Sequence, residues 1–246
     1  MNPLFIPLWR QRQDLRRAEM DIAQRCMARC RQHTKGDKEE AARIWKQLER
    51  MTAPPASKVG APRKPIEPQD PVLTMTLQPF LSALTTLNIS AAAIEKELTI
   101  LARAEPLWKE WVVNVRGVGE LAFAGMMAEA GRPLTDYHSV KAFWKRFGLA
   151  VIDGERQRKV KGSAEIAEMH GFAPTRRVFS YNVGSSLMRQ QKLLDPYRMI
   201  YDERRAYEEA RGINAGHANK RAQRHMTKAF FRDAWVKAKE LSGEPS

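Results

Sequence analysis

The chain has 246 residues, 42 Lys plus Arg against 28 Asp plus Glu, and a formal net charge of +14. That length suits one elongated domain or two small ones, and the charge predicts attraction to polyanions without deciding the fold. No run approaches the roughly 18 apolar residues of a membrane span, residues 1–9 lack a signal-peptide pattern, and two cysteines fit a reducing cytoplasm. Nucleic acid therefore leads as partner class, cytoplasmic and nucleoid-associated, ahead of an anionic membrane surface.

The basic excess is uneven. Residues 1–52 hold 12 basic and 7 acidic side chains, 53–140 hold 8 and 9, and 141–240 hold 22 and 11. Residues 8–32 predict a helix with Trp9, Leu15, Met20, Ile22, Cys26 and Met27 on a broad face. Cys26, Cys30 and His33 share one helical face, but a tetrahedral metal site needs a fourth ligand, so buried small side chains are the expectation. Asp37 predicts the N-cap of a helix over 38–51. Residues 1–52 thus read as a helical arm for dimerisation or partner binding, joined by a Pro-rich linker over 53–71 to a domain over 72–246. Within that domain, helices are expected over the Leu77–Leu87 stripe and, after an N-cap at Ser90, over 91–104. Pro106 then starts a helix through Trp108 and Val112.

Residues 112–131 carry the first chemical signal. Val115, Gly117, Val118 and Gly119 have the spacing of a helix-hairpin-helix, in which hairpin amides and the next helix N-terminus point at a nucleic-acid phosphate. A short helix over 139–147 stopped by Gly148 follows, and Asp153-Gly154 predicts a β-hairpin. The second arm of that hairpin carries Arg156, Arg158, Lys159 and Lys161. Helices are then expected over 176–194, over 197–211 behind an Asp195-Pro196 cap, and over 217–241. The last one carries Lys220, Arg221, Arg224, Lys228 and Arg232 around an inward set of Ala222, Met226, Ala229, Phe230 and Ala234. The fold class predicted is mainly α: a helix-hairpin-helix domain with one small basic β-hairpin, preceded by a helical arm.

From about residue 107 onward the order of features resembles the C-terminal half of the bridge-RNA-guided insertion-sequence transposases, the serine-assisted DEDD recombinases. The matching stretches are Val115-Arg116-Gly117-Val118-Gly119, Met126-Met127-Ala128-Glu129-Ala130-Gly131, and Ser139 with Phe143, Phe147, Gly148 and Leu149. The basic hairpin, Arg176-Arg177 and the run from Tyr181 through Ser186 to Arg189 follow in the same order. The resemblance implies that Ser186, five residues after Tyr181, stands where the family's nucleophilic serine attacks DNA, with Arg176, Arg177 and Arg189 available to stabilise charge. Two departures stand out: Phe123 replaces the small residue usual at its position, and residues 1–106 lack the family's carboxylate-bearing nuclease-like domain.

Three functions are open at this point. The first is a transposase-related DNA-binding protein that grips duplex phosphates through Arg116, Gly117, Val118 and Gly119, the basic arm and the last helix. The second is a recombinase that uses Ser186 with metal-binding carboxylates supplied in trans by a nuclease-domain partner; a homo-oligomer is the other partner expectation. The third is a binder of structured RNA. No cofactor and no metal are expected on this chain itself. Gly117 and Gly119 are expected to accept Val with weakened binding and an intact fold.

Overall fold

The computed structural model describes residues 1–52, 71–157, 171, 173–190 and 195–244. Its elements are α1 (Phe5–His33), α2 (Lys38–Met51), α3 (Pro71–Ala104), α4 (Pro106–Glu110), α5 (Glu120–Ala130) and α6 (Val140–Arg146). Strands β1 (Val151–Ile152) and β2 (Glu155–Arg156) precede α7 (Pro174–Met188), α8 (Pro196–Ala210) and α9 (Ala215–Ser242). The described chain is mainly helical, with one two-stranded antiparallel sheet. Close packing divides it into two units, one of Met1–Ile6 with Leu98–Ser246 and one of Pro7–Glu97. The Pro-rich stretch 53–70 lies outside the described residues.

In the unit Pro7–Glu97, three helices close around Cys26, Cys30, Trp45, Leu77, Leu81 and Leu84. Both thiols are buried, and burial raises their pKa, so they pack as small hydrophobes. Asp37 caps α2 by accepting from the amides of Glu39 and Glu40. Ser90 caps nothing: the predicted break at 88–90 is absent, and α3 runs unbroken from Pro71 to Ala104. The reason is a tertiary set of bonds. Arg16 donates to Oδ1 of Asn88 at 3.3 Å, and Nδ2 of Asn88 donates to the Thr52 carbonyl at 3.2 Å. With its side chain satisfied inside the unit, Asn88 does not compete with the helix backbone. Glu95, two turns further on, holds both Arg12 and Arg16. By length and composition α3 would also cross a membrane, a possibility that counting uninterrupted apolar residues misses. Its Leu73, Leu77, Leu81 and Leu84 are instead buried in the core.

The larger unit is organised by α9. Met226, Phe230 and Phe231 are fully buried along it. Phe231 packs on Phe143 at 5.5 Å and on Phe147 at 4.6 Å, and Phe230 stacks on Trp111 at 5.6 Å. Trp108 and Phe5 enclose Phe123 at 5.6 and 6.4 Å, so the large residue at this position fills a site between α4 and the chain's first residues. Ser139 caps α6 through the Ala142 amide, and Asp195 caps α8 through the Arg198 amide. Two predicted helices are shorter than expected. The one from Pro106 stops at Glu110 and passes into a single 3₁₀ turn at Val112–Asn114. The one expected to reach 194 ends at Met188 with Arg189 as its C-cap, and 191–194 lie outside the described residues.

Candidate nucleic-acid interface

The last helix sets the geometry. In an α-helix, residues three, four, seven and eight apart share a face. Lys220, Arg221, Arg224 and Lys228 therefore form a basic stripe along one side of α9, while Ala222, Met226, Phe230 and Ala234 are buried on the other. Opposite the stripe stands the β1–β2 hairpin. Asp153 (φ 49°) and Gly154 (φ 77°) give it the double left-handed turn that matches strand twist, and Arg156 pairs with Val151. Buried Gln157 fixes the base of this hairpin: its amide accepts from the Ala150 N–H at 3.2 Å and donates to the Lys145 carbonyl at 3.1 Å.

Between hairpin, α8 and α9 lies a groove of about 730 Å³. Arg156, Lys220, Arg221, Arg224 and Lys228 line it, together with the buried carboxylate of Glu208. Glu208 is already committed, accepting from Arg204 of its own helix and from Arg221 at 2.8 Å. Burial raises its pKa, but the bonds from Arg221 and Arg204 outweigh that and hold it below the usual carboxylate range.

Arg224 meets a different environment. Its guanidinium donates to the carbonyls of Gly148 at 3.2 Å and Ala150 at 3.0 Å, and no carboxylate pairs with it among the described residues. Burial and the charges of Arg177 and Arg156 push its pKa down to about 10. Arg177 is lowered by burial and by Arg156, while donating to the Gln157 carbonyl at 3.0 Å. Lys228 lies 3.9 Å from the Trp144 ring centroid, and burial plus Arg224 lower its pKa as well. Arg224 is thus repelled by Arg177 and Arg156 and in turn repels Lys228, and a bound anion would relieve the repulsion.

The other expected residues lie elsewhere. Arg116 is exposed, Val118 is buried, and Gly119 is the N-cap of α5 with open space around it. The positive end of α5 already faces a carboxylate, that of Glu120, which is held low by its own backbone N–H and by Arg103. Gly117 has φ +84°, and a Cβ there would meet the Ser186 carbonyl at 2.9 Å. The expectation that Val is accepted at Gly117 without harm to the fold is therefore corrected: this glycine is needed for close packing on α7. Arg176 pairs with buried Glu129 at 3.4 Å, and Arg189 is exposed at the end of α7. Arg158, Lys159 and Lys161 lie outside the described residues.

Ser186 is half-buried against the turn at Gly117, and Gln190 donates to its carbonyl at 3.1 Å. It is nine residues from Arg177, which on a helix is about 180° of rotation. The serine and the cation cluster therefore occupy opposite faces of α7. No histidine or carboxylate bonds the Ser186 hydroxyl among the described residues. Sequence reasoning gave the α9 stripe but missed its setting: the carbonyl ligands of Arg224, the Lys228–Trp144 contact and the Glu208 clamp. Only Arg204 and Glu208, at i and i+4, left a local signal. No protein-family model, curated protein or solved structure matches the chain.

Proposed function

We propose that this chain is a transposase-related DNA-binding protein that holds the phosphate backbone of DNA in the groove between the β1–β2 hairpin and α9. The observation that carries the reading is Arg224, part-buried, bonded to the Gly148 and Ala150 carbonyls, with no carboxylate partner among the described residues, and close to the charges of Arg156, Arg177 and Lys228. Such a cluster favours a ligand that brings several negative charges in a row, and a phosphodiester backbone does. The hairpin at Arg116, Gly117 and Gly119 is a secondary contact in this reading, because Glu120 occupies the helix end beside it. The link to transposition or recombination rests on the order of sequence features alone. The recombinase and structured-RNA readings have no other support, and Ser186 does not share a face of α7 with Arg177.

Arg156 and Lys220 are exposed, so truncating them leaves the packing intact. Arg156→Ala and Lys220→Ala should each weaken duplex binding about eightfold at 0.1 M salt, from a slope of about 0.9 per phosphate contact. The loss should be equal on duplexes of unrelated sequence, since phosphate contacts position without specifying. Electrophoretic or fluorescence titration checks this. Unchanged affinity in both variants would sink the groove reading.

A further inference from the structure

We infer that the groove engages DNA at an unpaired nucleotide, whose base enters a side pocket beside Tyr181 while its phosphate stays on the arginines. This rests on the DNA-binding reading above. A second cavity, of about 150 Å³, shares Arg156, Lys220 and Arg224 with the groove. Its remaining walls include Leu149, Ser180, Tyr181, Gln223 and Thr227. A cavity of about that volume admits one ring of a base, either a whole pyrimidine or the six-membered ring of a purine whose second ring stays at the mouth. One side of the site is therefore cationic, and the other combines Leu149 and Tyr181 with the polar side chains of Ser180, Gln223 and Thr227, which matches the two halves of a nucleotide.

Tyr181 is 58% exposed although it is a large aromatic residue on a packed helix. An exposed tyrosine beside arginines is the arrangement on which an unpaired base stacks. Gln223 adds a polar contact. Its Nε2 donates to the Tyr181 carbonyl at 3.0 Å and to Oγ of Ser185 at 2.8 Å. A carbonyl only accepts, so the amide orientation is fixed, and Oε1 is left as an acceptor for an exocyclic amine on the ring of a base. The hydroxyl protons of Ser180 and Thr227 are already given to the Arg177 and Gln223 carbonyls. A base inside an intact duplex is stacked and paired and does not reach such a pocket, whereas a bulged or extruded one does.

The test is a DNA duplex with one bulged 2-aminopurine, compared with the same duplex fully paired. The wild-type chain should bind the bulged duplex about tenfold more tightly, with the fluorescence quenched by stacking. Tyr181→Ala should abolish the preference and the quenching while leaving affinity for the paired duplex unchanged. This variant keeps the backbone carbonyl that Gln223 bonds, and its thermal midpoint checks the fold. Equal affinity for the two duplexes with unchanged fluorescence overturns the pocket and leaves the groove reading standing. Binding to neither duplex overturns both. A tighter complex with the bulged RNA counterpart overturns the assignment to DNA.

Discussion

Glu208 and Arg224 line one groove and meet burial in opposite ways. Glu208 gives up water entirely but receives two guanidinium groups, from Arg204 and Arg221. Arg224 is part-buried and receives two carbonyls among other cations. The first arrangement is complete within the protein, and the second is the one an outside anion would complete under the proposed function. The sign of the Glu208 effect follows from its depressed native pKa. Its contribution to stability is fully present above the ordinary carboxylate value of the unfolded chain and is lost as pH falls through the lower native value. Denaturant titrations of wild type and Glu208→Gln should show the variant less stable at neutral pH, with the gap closing in acid. A gap that stays constant from neutral pH down into the acid range would contradict the ion-pair account.

At the scale of elements, Gly117 and Gly119 separate two reasons for glycine in one turn. Gly117 combines positive φ with a packing distance that leaves no room for a Cβ against α7, whereas Gly119 has an ordinary φ of −84° and open surroundings. Gly117→Ala should therefore lower unfolding free energy by about 1–2 kcal/mol or more. Gly119→Ala should change it by no more than about 0.5 kcal/mol, since the lost N-cap preference is offset by a stiffer unfolded chain. Chemical denaturation of both variants checks the order, and equal losses would contradict it. The same turn shows what a sequence reveals. The Gly-x-Gly spacing announces a turn, and Asp37, Ser139 and Asp195 announce helix starts, because these effects act within a few residues. Asn88 and Ser90 suggest a helix break that the fold removes, because the partners of Asn88 are Arg16 and Thr52, far away in the chain. The packing of Gly117 on Ser186 is equally non-local. The α9 stripe was legible from helical periodicity. That it faces a hairpin and a buried acid was not, since both come from other elements.

For the whole molecule, the charge distribution in sequence and the fold of the larger unit agree. The C-terminal hundred residues carry the basic excess, and the fold gathers part of it into one groove instead of spreading it over a solvated surface. The Pro7–Glu97 unit is different: Glu95 ties Arg12 and Arg16 into ion pairs within the unit, and Glu40 ties Arg43. The central claim is that the groove cations exchange small counterions for DNA phosphates. The most direct measurement is the affinity for a DNA duplex as monovalent salt is raised from low to physiological concentration. Four contacts, from Arg156, Lys220, Arg224 and Lys228, should give a log–log slope of about −4. A flat line over that range would contradict the account.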